Sequence, residues 1–105
     1  MSATGMNQDE ARQKLEEYRV LIDDVDRRIV ALLNERTVVV HNIGRVKREA
    51  QLPIYEPRRE EQVFANITAV NQGPLTEAAV RRIFERVIDE MRTIQRLQMA
   101  SDGDK

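Results

Sequence analysis

Between about Glu10 and Gln51, apolar residues recur at Leu15, Tyr18, Ile22, Val25, Ile29, Leu32, Val39, Ile43 and Val46, with no proline among them. Steps of three and four predict one amphipathic helix. At about 1.5 Å per residue, about 40 residues make a rod of about 60 Å, roughly twice the width of a small domain, so the rod needs something to lie against. The stretch Leu52-Pro53-Ile54-Tyr55-Glu56-Pro57 breaks it, because each proline pushes the preceding residue out of the helical region and Pro57 suits a first helical position. A second helix is predicted from about Pro57 to Asn71, with Val63, Ile67 and Val70 on one side and Asn71-Gln72-Gly73-Pro74 as its stop. Thr76 is a candidate N-cap for a third helix reaching about Met99, with Val80, Ile83, Phe84, Val87, Ile88, Met91 and Ile94 as its apolar stripe. Residues 1–8 and 101–105 are expected to be flexible ends on a single helical domain at 9–100. The predicted class is all-α.

Length and composition narrow the functions. A chain of 105 residues buries a modest core on its own, which again favours a partner subunit. Seventeen Lys and Arg against eighteen Asp and Glu leave a net charge of -1, so nucleic acid is not an expected partner and any anion must be caught locally. No cysteine and one histidine argue against a metal site. The start, MSATGMNQDE, lacks the basic and apolar parts of a secretory signal, and no run approaches the roughly 18 apolar residues of a membrane span. A cytoplasmic location without membrane contact is the expectation.

Polar residues in apolar positions carry the candidate chemistry. Counted in heptads from Leu15, Arg36 takes a seam position that favours an apolar side chain. Lys47, eleven residues on, returns to the same face within about 20° and lies about 16 Å further along the axis, so two long side chains leaning together can hold one small anion. Arg19 lies about 25 Å from Arg36 and about 40 Å from Lys47 on a straight helix, so it joins such a site only from another chain, as antiparallel pairing of two long helices would allow. Arg59, Val63 and Ile67 share a stripe that aims Arg59 inward at the start of the second helix. Glu60, in the first turn, either favours the positive end of the helix dipole or accepts a ligand hydroxyl. Gln95 places an uncharged donor on an apolar stripe, where it can bond an ether or carbonyl oxygen.

Each residue also has a plain structural reading. Arg36 can snorkel or pair with a carboxylate such as Glu35 of a neighbouring helix. Lys47 can be solvated, Gln95 can mark the end of its stripe, and His41 reads as solvated or interfacial. Gly44, at about 1 kcal/mol against Ala in a helix, permits close approach of another backbone or a ligand. Several inward polar groups on three helices are nonetheless costly unless something polar binds among them.

With "YRVLIDDVDRRIVALLNER", "IGRVK", "EPRRE" and Gln95 in that order, the chain resembles the all-helical, intracellular chorismate mutases of the AroQ type over about residues 12 to 98. The resemblance implies an intertwined homodimer of interlocked three-helix chains with two equivalent sites. It implies an intramolecular Claisen rearrangement of chorismate, a small dicarboxylate, to prephenate in Tyr and Phe biosynthesis, with no cofactor. By motif position, Arg36 and the partner's Arg19 look like the family's carboxylate-binding arginines, and Lys47 like the lysine that bonds the ether oxygen and a carboxylate. Gln95 matches the second ether-oxygen donor, and Glu60 the acid that holds the ring hydroxyl, with Arg59 beside it. Glu56 stands where an Asp is common near the hydroxyl, and Met91 where some members have a Ser. An isochorismate pyruvate lyase of the same fold, a non-catalytic helical dimerisation module, and a mutase that docks on another shikimate-pathway enzyme stay open as alternatives.

Overall fold

A computed structural model describes residues 5–103 of the chain. It contains three helices, α1 (Gln8–Glu49), α2 (Pro57–Val70) and α3 (Glu77–Gly103), and no strand among the described residues. The expected flexible ends at 1–8 and 101–105 lie partly outside those residues.

The N-terminal end of α1 falls two residues earlier than its apolar pattern predicts, because Asn7 caps it. The Asn7 Oδ1 accepts the Glu10 backbone N–H at 2.8 Å, while its Nδ2 donates to Glu10 Oε1 at 2.9 Å. This reciprocal pairing of N-cap and third helical residue satisfies one of the backbone donors that every helix start leaves open.

At the other end α1 stops at Glu49 through backbone bonds alone. Leu52 N–H reaches back to the Lys47 carbonyl at 2.7 Å and Gln51 N–H to that of Arg48 at 3.2 Å. Gln51 holds the left-handed residue of this Schellman turn, with φ 58°. Glycine adopts that conformation without a Cβ clash, so Gln51→Gly is expected to stabilise the fold by about 1 kcal/mol. Urea denaturation checks this, and an unchanged or lowered midpoint would mean that the Gln51 side chain contributes more than the strain it brings.

α2 begins at Pro57 as predicted, behind Glu56, whose side chain makes no capping bond. It ends at Val70, where Asn71 Oδ1 accepts the Gly73 N–H at 3.0 Å and Asn71 Nδ2 donates to the Leu75 carbonyl at 2.8 Å. Gly73 has φ 80°, a conformation that suits glycine. Thr76 caps α3 as its sequence suggests, with Oγ1 accepting Ala79 N–H at 3.1 Å. α3 runs on to Gly103, past the expected end near Met99.

The chain divides into two compact units, the first ending at Arg36 and the second beginning at Thr37. In the first, Leu15, Tyr18, Ile22, Val25, Ile29 and Leu32 are all exposed. Ion pairs within the helix, among them Arg12–Asp9 and Arg28–Asp24, flank them and each adds a few tenths of a kcal/mol at most. The six apolar residues form a continuous stripe open to water.

The second unit has a small core of Val40, Val80, Ile88 and Met91. Val39, Ile43 and Val46, on the same apolar seam as Leu15 to Leu32, are likewise exposed within the single chain, and the buried positions of this part of α1 are Val40, Gly44 and Lys47. Ile83, placed on the apolar stripe of α3, is also exposed. A heptad count finds an apolar face but not what covers it, and within one chain α3 covers the neighbouring face.

Candidate active site

Two polar side chains interrupt the core of the second unit. Lys47 is 8% exposed and Gln95 7%, as buried as the aliphatic residues around them. A buried ammonium needs partners. The Schellman turn supplies one: the chain doubles back after Glu49, and the Ile54 carbonyl accepts a hydrogen bond from Lys47 Nζ at 2.9 Å. Glu56, freed from capping, supplies the other through Oε1, also at 2.9 Å. An ammonium has three donors, so these bonds leave capacity for a third acceptor.

Gln95 reaches α1 from α3, its Nε2 donating to the Val40 carbonyl over a long 3.5 Å. One turn later Gln98 Nε2 donates to the His41 carbonyl at 3.0 Å. That glutamine explains Gly44: a Cβ there would stand 2.6 Å from Gln98 Oε1. The close neighbour of Gly44 within the chain is thus a side-chain amide of α3, where the sequence suggested another backbone or a ligand. Met91 packs in the core and receives the Thr37 hydroxyl at its sulfur, 3.6 Å away.

Glu60, half-buried in the first turn of α2, meets a cation that the sequence pattern did not single out. Arg92 Nη2 donates to Glu60 Oε2 at 2.6 Å, a short charge-assisted bond across 32 residues of sequence. Its guanidinium also reaches Asp89 Oδ1 at 3.4 Å and lies 5.0 Å from the centroid of the Tyr55 ring. The pKa of Arg92 is raised above the usual arginine value, mainly by the Glu60 hydrogen bond, with burial opposing it. Arginine is charged at all working pH in either case, so the shift reports strong pairing rather than a titration.

Arg59 is exposed and bonds Gln62 on its own helix at 3.4 Å, against the expectation that it points inward. The half-buried positions of α2 are Glu60, Val63, Phe64, Ile67 and Thr68. On a helix of 3.6 residues per turn their common direction leaves Arg59 about 100° away.

Arg36 and Arg19 belong to the first unit. Arg36 is half-buried, and Arg19 is exposed with Nη1 3.6 Å from Glu16. Lys47, Gln95, Glu56 and Glu60 therefore share the second unit, to which Arg19 and Arg36 do not belong. Elsewhere in that unit, an apolar hollow of about 250 Å³ lined by residues such as Ile67, Leu75 and Phe84 has no charged side chain in its wall. No group of three or more potential metal-ligating side chains occurs among the described residues, and no described helix is long and apolar enough to cross a membrane.

What this arrangement can do is hold a polar ligand at a partly dry cation and an amide donor, with two carboxylates available for a hydroxyl. Known proteins share the sequence and the fold. A family model described as chorismate mutase type II matches residues 18–96. The bifunctional chorismate mutase/prephenate dehydratase of Aquifex aeolicus is 33% identical over 98 residues, which cover 89% of this chain but only 27% of that relative's length. Chorismate mutase (form II) from Thermus thermophilus superimposes with a TM-score of 0.77 at 35% identity, covering 79% of this chain and 94% of that one. The Helicobacter pylori chorismate mutase solved in complex with prephenate gives 0.78 at 25% identity, covering 84% and 96%.

Proposed function

The chain belongs to the type II chorismate mutase family, and on that premise we propose that it converts chorismate to prephenate in the cytoplasm, as an intertwined homodimer. The observation that carries the reading is the pair of buried polar side chains, Lys47 and Gln95, in a core otherwise made of apolar residues. The reaction is an intramolecular Claisen rearrangement: an ether C–O bond breaks as a C–C bond forms. It asks for no nucleophile and no proton transfer. Catalysis then rests on holding the substrate folded and on placing positive charge where the ether oxygen becomes negative.

Lys47 and Gln95 are assigned to the ether oxygen, the lysine also taking a carboxylate. Glu56 orients the Lys47 ammonium, a role that its 2.9 Å pairing supports. Glu60 accepts the ring hydroxyl. Arg36 and the partner's Arg19 clamp the carboxylates of the substrate, and Arg59 stands at the open edge of the site, where its exposure suits first contact with the dianion. The exposed apolar stripe of the first unit is the natural dimer surface, since its residues have no cover within their own unit.

Incubating the purified protein separately with chorismate and with isochorismate tests the assignment by product. Prephenate from chorismate is expected. Salicylate and pyruvate from isochorismate, with chorismate untouched, would assign the pocket to the related elimination instead. No turnover of either substrate would favour the dimerisation module.

A further inference from the structure

We propose that Arg92 is a positioning residue that fixes the Glu60 carboxylate for the ring hydroxyl of the substrate; this assignment rests on the chorismate mutase reading above. A glutamate has three rotatable bonds, and a half-buried one at a helix start has several rotamers to choose from. Arg92 removes that choice. Its Nη2 takes Glu60 Oε2 at 2.6 Å, and a carboxylate accepts at two oxygens, so the pairing leaves acceptor capacity at the other.

Arg92 is itself fixed from two further directions. Asp89, one turn earlier on α3, lies 3.4 Å from Nη1, and the Tyr55 ring lies under the guanidinium at 5.0 Å. Tyr55 stands between Ile54 and Glu56, the two residues that hold the Lys47 ammonium. One tripeptide therefore contacts both Lys47 and Arg92. Arg92 also follows the buried Met91 and precedes Gln95 by three residues, which puts it about 4.5 Å along α3 from the proposed ether-oxygen donor and within about 60° of its direction.

The test separates positioning from mere bracing of α2 on α3. Arg92→Met, Arg92→Lys, Glu60→Ala and the Arg92→Met/Glu60→Ala double variant are assayed with chorismate and with a chorismate analogue that lacks the ring hydroxyl, alongside thermal midpoints. Arg92→Met is expected to lower kcat/KM for chorismate about 10-fold or more, mainly through KM, because the hydroxyl is not at the bonds that change. On the analogue the loss should shrink to within about twofold, and the double variant should be no slower than Glu60→Ala alone. Arg92→Lys, which keeps the charge without the planar fork, should recover part of the activity and serves if the Met variant does not fold.

Equal losses on both substrates, or additive losses in the double variant, overturn the assignment while leaving the mutase reading intact. A wild-type protein that turns over no chorismate overturns both.

Discussion

Lys47→Ala is expected to lower kcat by about 10²- to 10³-fold or more while changing KM much less. The reasoning starts from burial. Lys47 is 8% exposed, so a charge that forms beside its ammonium is poorly screened, and the interaction is worth several times its value in water. In chorismate the ether oxygen carries little charge; in the transition state it carries much more. An interaction that strengthens along the reaction coordinate raises kcat, whereas one of constant strength only lowers KM. The Ile54 carbonyl and Glu56 hold the ammonium before substrate arrives, so little reorganisation remains for the reaction itself.

The same two bonds show what else the substitution disturbs. Loss of Lys47 leaves Ile54 without this donor, while the half-exposed Glu56 carboxylate can be hydrated, so a stability loss of about 1 kcal/mol is expected. Steady-state kinetics with a parallel denaturation curve distinguishes the two effects. A normal kcat with only a raised KM would show that Lys47 binds the ground state and would remove it from the catalytic assignment.

The helices, their breaks and the Thr76 cap were legible from spacing and proline positions alone, because those signals act over a few residues. The Asn7–Glu10 cap was equally local and could have been read from an Asn followed three residues later by a Glu. Burial was less legible. Residues 39, 43 and 46 continue the heptad beyond Arg36, yet the single chain buries 40, 44 and 47, since a one-dimensional period cannot say which neighbour owns which face. Lys47 stands out in the sequence as an unusual cation; its partners do not, because they depend on a left-handed Gln51 that returns the chain on itself. Arg92 is hidden in the sequence for a different reason. Among many surface arginines of charged helices it looks ordinary, and only its bond to Glu60, from another helix, sets it apart.

Mixing two inactive variants should restore activity. Arg19→Ala and Arg36→Ala are each expected to lower kcat/KM by about 100-fold or more, since each removes a clamp on a substrate carboxylate. In the proposed dimer every site combines the Arg36 of one protomer with the partner's Arg19. A mixed dimer then has one site that lacks both arginines and one that has both. Random exchange of equal amounts gives half mixed dimers with one good site of two, or about a quarter of the wild-type activity. Arg19 suits this exchange: it is exposed in its own unit, and its 3.6 Å pairing with Glu16 is a surface ion pair worth well under about 1 kcal/mol, easily given up for a carboxylate of substrate. The exposed stripe from Leu15 to Leu32 supplies the apolar surface through which two chains would hold each other. Co-refolding of differently tagged variants followed by tandem purification isolates the mixed species, whose activity per dimer should be about half that of wild type. Mixed dimers that form and stay inactive would place Arg19 outside the partner's site, and dimers that never form would remove the exposed stripe as the dimer surface.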